Sequence, residues 1–124
     1  WADYRCRNGH FIFVAVEDQA LKGFAAGMEA SDVEPGAGLL DSLHVEADSR
    51  GHGIGKRLIG AVAGHLWQKG IGRMAITVIE GNDAALAVYE HLGARRIGHR
   101  PCSYGAAVRE IVLRWDELDR LRTT

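Results

Sequence analysis

Only two cysteines, Cys6 and Cys102, stand among the 124 residues. They are too few to staple a secreted scaffold, so a reduced, cytoplasmic setting is expected. Neither has a helix N-terminus or a base to activate it, and neither is expected to act as a nucleophile. A surplus of one charge sign is missing too. Fifteen Lys and Arg face 16 Asp and Glu, for a net charge of -1. That leaves no broad basic field for nucleic acid or for an anionic membrane surface. Aromatic residues make up 7%, with no aromatic platform on which bases could stack. Uncharged apolar runs such as Phe11 to Val16 fall far short of the ~20 residues that span a bilayer. No basic segment leads into an apolar stretch and a cleavage site, so no signal peptide is read. His10, His65, His91 and His99 lack ligand spacing, and His99-x-x-Cys102 alone is too little for a metal site. No metal is expected.

What is present is ordinary folded composition, 47% hydrophobic and 25% charged, enough for one domain over residues 1–124 around one core. Glycine is the exception. Sixteen of 124 residues is about 13%, nearly twice the usual ~7%. Gly51, Gly53 and Gly55 alternate in one short segment. Gly60 and Gly64 follow in a helical pattern, where close packing of helix on sheet accounts for them. The chain opens at Trp1 rather than Met, which reads as a processed or shortened start.

Residues 11–17 and 20–29 read as strands joined by a polar turn at Asp18-Gln19. A loop over 30–38 leads to a strand at 39–46. Strict alternation there puts Asp41, Leu43 and Val45 on one face and Leu40, Ser42 and His44 on the other. From Gly53 to about Lys69 the period lengthens. Ile54, Leu58, Val62 and Leu66 make one stripe, with Ile59, Ala63 and Trp67 beside it. Residues 72–79 read as a strand buried on both faces. Asn82 or Asp83 caps a second helix whose apolar face carries Ala85, Val88, Tyr89 and Leu92, with Gly93 beyond its end. Strands at 94–99 and 107–115 follow, then a charged tail. The order β-β-β-α-β-α-β-β predicts an α/β (α+β) domain: one mixed, mostly antiparallel sheet with helices on both faces.

The segment Ser49-Arg50-Gly51-His52-Gly53-Ile54-Gly55-Lys56-Arg57 joins a strand to a helix. Alternate glycines let the chain turn sharply and clear the approach to the helix's unpaired N–H groups. With the helix dipole, a phosphate is the natural occupant. Two common phosphate loops do not fit. The spacing from Gly51 to Gly55 is one residue short for a Walker loop, and Arg57 stands where Ser or Thr would hold magnesium. A dinucleotide GxGxxG fails as well, because its third glycine falls on Lys56 or Leu58. The pattern that remains is Arg50-x-x-Gly53-x-Gly55, preceded by Leu43-x-Val45.

This pattern resembles the acetyl-CoA pyrophosphate motif of the GNAT family of N-acetyltransferases. Asn82-x-x-Ala85-x-x-x-Tyr89-x-x-Leu92-Gly93 resembles the family's second motif, in order and at the right distance. The likeness runs from about residue 11 to residue 115. Ala94 stands where a Phe is common, and only ten residues precede the strand at 11–17, where the family has a strand and two helices. The chain thus looks N-terminally shortened. The resemblance implies the acyl-CoA N-acyltransferase fold and transfer of acetyl from acetyl-CoA to a primary amine, by direct attack in a ternary complex. A non-catalytic acyl-CoA-binding remnant is the alternative. It also implies roles: backbone groups from Gly51, His52, Gly53, Ile54, Gly55 and Lys56 on the pyrophosphate with Arg50 at the rim, Leu43, His44 and Val45 on the pantetheine arm, and Asn82 and Tyr89 at the cofactor.

Tyr89 would face the leaving sulfur. A phenol near ~10 protonating a thiolate near ~8.5 is uphill by about 2 kcal/mol, so a stabilising hydrogen bond is easier to defend than full proton transfer. The amine's proton needs a base. Asp41 is first choice, His44 second and Glu29 third. The acceptor is a small-molecule or protein amine; nucleic acid and membrane are not expected partners. Arg95, Arg96 and Arg100 form a basic run that is either a solvated face or a contact for the adenosine 3′-phosphate or an acidic acceptor. Finally, Phe11 to Val16 reads as an uncovered edge strand. Such an edge invites pairing, so a homodimer or a covering N-terminal segment is expected.

Overall fold

The computed structural model describes residues 2–5, 9–31, 33–51, 53–102 and 105–122. Its strands are β1 (Ala2–Arg5), β2 (His10–Glu17), β3 (Ala20–Met28), β4 (Gly38–Val45), β5 (Met74–Ile79), β6 (Arg95–Cys102) and β7 (Gly105–Trp115). The helices are α1 (Ile54–Gln68), α2 (Asp83–His91) and a single turn, α3 (Leu118–Leu121), in the charged tail. One sheet runs in the order β1-β2-β3-β4-β5-β7-β6. Only β4 and β5 pair in parallel; the other neighbours are antiparallel. The mixed, mostly antiparallel sheet is as expected.

Helices on both faces are not. Gly38 and Met74 are parallel partners, and Met74 opposes Trp115, so all three share a face. A Cβ on Gly38 would come within 2.5 Å of Leu66 on α1, and Trp115 touches Tyr89 on α2. Both long helices therefore cover one face among the described residues. The reason is topological. The steps from β4 to β5 and from β5 to β6 run the same way across the sheet, and crossovers of one hand then fall on one side.

The core lies beneath α1. Leu58, Ile59, Val62, Ala63 and Leu66 are buried against Phe11, Ala25, Leu40, Met74 and Leu113. Bare glycines on the sheet let the helix settle closely: Cβ atoms on Gly23 and Gly27 would fall 3.2 Å from Leu58 and 3.0 Å from Val62 on α1. Trp67, expected in the second stripe, is instead 41% exposed and carries the Arg122 guanidinium over its ring at 5.5 Å. The stripe it belongs to is wider than the surface the sheet can cover.

Two further expectations change. First, Phe11 is not at an edge. β1 pairs with β2 through Ala2–Val14, Asp3–Phe13, Tyr4–Ile12 and Arg5–Phe11. The uncovered strand on which a homodimer was expected is thus already paired over residues 11–14. Second, β4 does not alternate strictly. Gly27 opposes Leu40 and Ala26 opposes Ser42, leaving Asp41 as an extra residue in a bulge. Leu40 therefore joins Leu43 and Val45 on the helix side, while Ser42 and His44 face the other way. Among the described residues, no helix is long and apolar enough to cross a membrane.

Candidate active site

From Val45 the chain passes through one turn of 3-10 helix (Ala47–Ser49) and enters α1. Gly51 (φ 86°) and Gly53 (φ 77°) both take the left-handed conformation, which only glycine adopts cheaply. Gly53 is the N-cap residue, and no side chain caps the helix. The first helical bond runs from the Arg57 N–H to the Gly53 carbonyl at 3.1 Å. The N–H groups of Ile54, Gly55 and Lys56 thus head the helix, outside its internal ladder, at the positive end of its dipole.

Gly55 differs from its neighbours. Its φ is not positive, and a Cβ there would meet only the Val45 Cγ2, at an ordinary 3.7 Å. Nothing in the fold demands glycine at this position. Around Gly51 and Gly53 an added Cβ would meet nothing within 4 Å. The loop is open there, and Gly51, Gly53, Ile54 and Gly55 line a cavity at the head of the helix, a setting suited to an anion. Arg50 is held at its edge, its Nε donating to the Val45 carbonyl at 3.3 Å.

Below the loop the sheet splits. β4 and β5 pair only at Gly38–Met74 and Leu39–Ala75; beyond these the strands diverge. The gap continues as a cleft of about 590 Å³ with Leu43, His44 and Val45 on one wall, Asn82, Ala85, Val88 and Tyr89 on the other, and Arg50, Gly51, Gly53, Ile54 and Gly55 at one end. The parted edge of β4 offers main-chain groups to an extended guest, as an exposed strand edge does.

Tyr89 is half-buried, its ring edge-on to Trp115 with centroids 5.9 Å apart. Burial pushes its phenol above the ordinary value of 10.0. The hydroxyl therefore stays protonated at neutral pH and can only donate to a developing thiolate. Asn82 caps α2, its Oδ1 accepting from the Ala85 N–H at 3.3 Å, and also lines the cleft.

The three candidate bases separate. Asp41 is exposed in the β4 bulge and does not line the cleft. Glu29 is spent elsewhere: its Oε2 lies 2.8 Å from Nε2 of His65, a buried ring stacked on Phe11 at 3.8 Å, under α1. Only His44 lines the cleft. Its ring packs near Phe24 at 5.7 Å, and its Nε2 lies 3.1 Å from the Glu46 carboxylate. Lys56 is exposed on α1 and outside the lining, and His52 lies outside the described residues. The lining also includes Ala85 and Val88 from the apolar face expected of the second helix, and Ser49 and Ala84, which were not singled out; Ala84, one turn before Val88 on the same short helix, carries the signal that was available. The Arg95, Arg96 and Arg100 run is consumed by ion pairs to Asp116, Glu90 and Glu110. Among the described residues no group of acidic, His or Cys side chains could hold a metal.

The sequence model of the Acetyltransferase (GNAT) family matches residues 1–94. The chain belongs to the GNAT family. A methionine sulfoximine/methionine sulfone acetyltransferase of Pseudomonas aeruginosa is 29% identical over 103 residues, 82% of this chain and 60% of that protein. A mycothiol acetyltransferase of Kocuria rhizophila is 36% identical over 102 residues, covering 77% of this chain and 32% of that one. This GNAT chain therefore spans about 60% of the length of the first relative and about a third of the second. Its fold matches an aminoglycoside 6'-N-acetyltransferase complexed with coenzyme A, with TM-score 0.70 at 19% identity over 88% of this chain and 73% of that one. In this GNAT chain the glycine loop, the split between β4 and β5 and Tyr89 meet in one cleft.

Proposed function

We propose that this GNAT domain binds acetyl-CoA in the cleft and transfers the acetyl group to a primary amine. The observation that carries the reading is the split sheet: one cleft connects an uncapped helix N-terminus to the half-buried Tyr89. The N–H groups of Ile54, Gly55 and Lys56, with those of Gly51 and Gly53, would hold the pyrophosphate, and Arg50 would add charge at the rim. Leu43, His44 and Val45 would pair with the pantetheine arm along the free edge of β4. Acetyl-CoA supplies the acyl group as a thioester.

The amine nitrogen bonds to the thioester carbon and the carbon–sulfur bond breaks, giving an acetamide and CoA. A main-chain N–H on the parted β4 edge polarises the carbonyl, and the Tyr89 hydroxyl donates to the sulfur as charge develops there. The amine's proton leaves to a base. His44 is the better placed of the candidates, since it lines the cleft while Asp41 stands in the bulge outside it. Two relatives bear the names of small-molecule acetyltransferases, and a small amine is the acceptor we assign, in the reducing cytoplasm.

The second reading, a CoA-binding module without turnover, draws on one observation: no carboxylate lines the cleft among the described residues. A titration of CoA by calorimetry, followed by a screen of small amines with acetyl-CoA that detects free thiol, separates the two. Binding with thiol release supports the enzyme, and binding with no release from any amine supports the module. No binding defeats both. In the same assay His44→Gln should slow release far more than Asp41→Asn; the reverse order would return the proton to Asp41.

A further inference from the structure

A second aromatic stands behind Tyr89. α2 is nine residues long and fully buries only Leu86. A helix that short has little stability of its own and takes its position from tertiary anchors. The anchor is Trp115, the last residue of β7, 3% exposed. Its Nε1–H donates to the Leu92 carbonyl at 3.2 Å, one of the carbonyls left without an intrahelical partner where α2 ends. Its ring meets the edge of Tyr89 at 85°. One indole thus fixes both the last turn of α2 and the plane of the tyrosine ring.

Trp115 also has an opposite side. With Leu92, Gly93, Arg95 and Leu121 it lines a separate cavity of about 460 Å³. The indole is therefore a partition between this cavity and the aromatic wall of the acyl cleft. Cut back, it would leave the Leu92 carbonyl without its donor and open room into which Tyr89 could tilt away from the cleft.

We propose that Trp115 is a positioning residue that holds the Tyr89 hydroxyl against the leaving sulfur. The proposal rests on the acetyl-transfer reading above. Positional demands at a reacting centre are steep, and a displacement near 1 Å can cost up to about 10²-fold. Trp115 meets α2 at Tyr89 and Leu92 and is absent from the lining of the cleft that the glycine loop closes, so its loss should fall on turnover rather than on cofactor binding.

A double-mutant cycle tests this. Trp115→Phe should lower kcat about tenfold with KM for acetyl-CoA changed less than about twofold, a displacement well short of 1 Å in effect. In a Tyr89→Phe background the same change should cost nothing further, because the hydroxyl it positions is gone. An equal loss in both backgrounds would make Trp115 merely structural and overturn the proposal, as would an unchanged kcat in the single variant. If Trp115→Phe does not fold, Trp115→Tyr takes its place in the cycle. A readout independent of turnover accompanies it: with ring-labelled tyrosine, CoA should shift the Tyr89 NMR signal in the parent but not in the Trp115 variant, at equal calorimetric affinity. An equal shift in both overturns the positioning role alone. No CoA binding by the parent overturns the functional reading, and this proposal with it.

Discussion

Gly55→Ala should make this domain more stable and less able to bind CoA. The added Cβ would meet only the Val45 Cγ2 at 3.7 Å, so no clash opposes it. Position 55 is the second residue of α1, where exchanging Gly for Ala contributes up to about 1 kcal/mol through helix propensity and a less floppy unfolded chain. For a chain of this size that is a rise in Tm of about 4 °C. The same methyl group projects into the mouth of the anion site, where the pyrophosphate must approach the backbone. Keeping it a fraction of an ångström away weakens several N–H bonds together, and a loss of at least about tenfold in affinity, or 1.4 kcal/mol, is expected.

Gly53→Ala is the control. At φ 77° an L-residue costs about 1–2 kcal/mol, so this variant should melt lower while also binding less tightly. The two glycines would then move Tm in opposite directions and affinity in the same one. Melting curves with and without CoA, and calorimetry on each variant, give all four numbers. A lower Tm for Gly55→Ala would mean the fold itself needs that glycine. Parental affinity in Gly55→Ala would mean that no phosphate sits there.

Three other outcomes are expected. Tyr89→Phe should leave CoA affinity unchanged and lower kcat by about 10–150-fold, the value of one hydrogen bond to a charged group; because burial raises the phenol's pKa, no alkaline loss of rate should come from Tyr89 below about pH 10, and steady-state pH profiles will show whether one does. Gln19→Gly relieves a left-handed residue, φ 65° in the β2–β3 turn, and should stabilise the domain by about 1 kcal/mol in urea unfolding; an unchanged midpoint would show that the turn stores no strain. At Asp116, partial burial opposes ionisation, but hydrogen bonds and charge from Arg114 and Arg95 outweigh it and hold the carboxyl below its ordinary range. A lowered folded pKa gives stability that is present above the unfolded value near ~3.9 and is lost as pH falls through the folded one. Asp116→Asn should therefore destabilise at pH 7 and have little effect near pH 2, and an equal effect at both would remove the ion pairs as its cause.

Much of the cleft could be read from local spacing. The 3.6-residue stripe of Leu58, Val62 and Leu66 reports α1, the alternating glycines report the anion loop, and Asn82, Ala85 and Tyr89 fall on one side of α2 by helical geometry alone. These are relations between residues a few positions apart, and side-chain period and backbone freedom determine them before any tertiary contact forms. What depends on partners far along the chain was not legible there. The bulge at Asp41 exists only as a mismatch between β3 and β4, and it reverses the face that strict alternation assigns to Leu40. β1 is four residues whose partner begins at Phe11, and nothing in Ala2–Arg5 announces the pairing. Glu29 looked available as a base until His65, 36 positions away, closed over it. The split that makes the cleft belongs to neither strand alone, because β4 and β5 separate where the two paths through the sheet diverge. Register, bulge and facing are settled by non-local pairing, whose energy appears only once the chain has closed on itself.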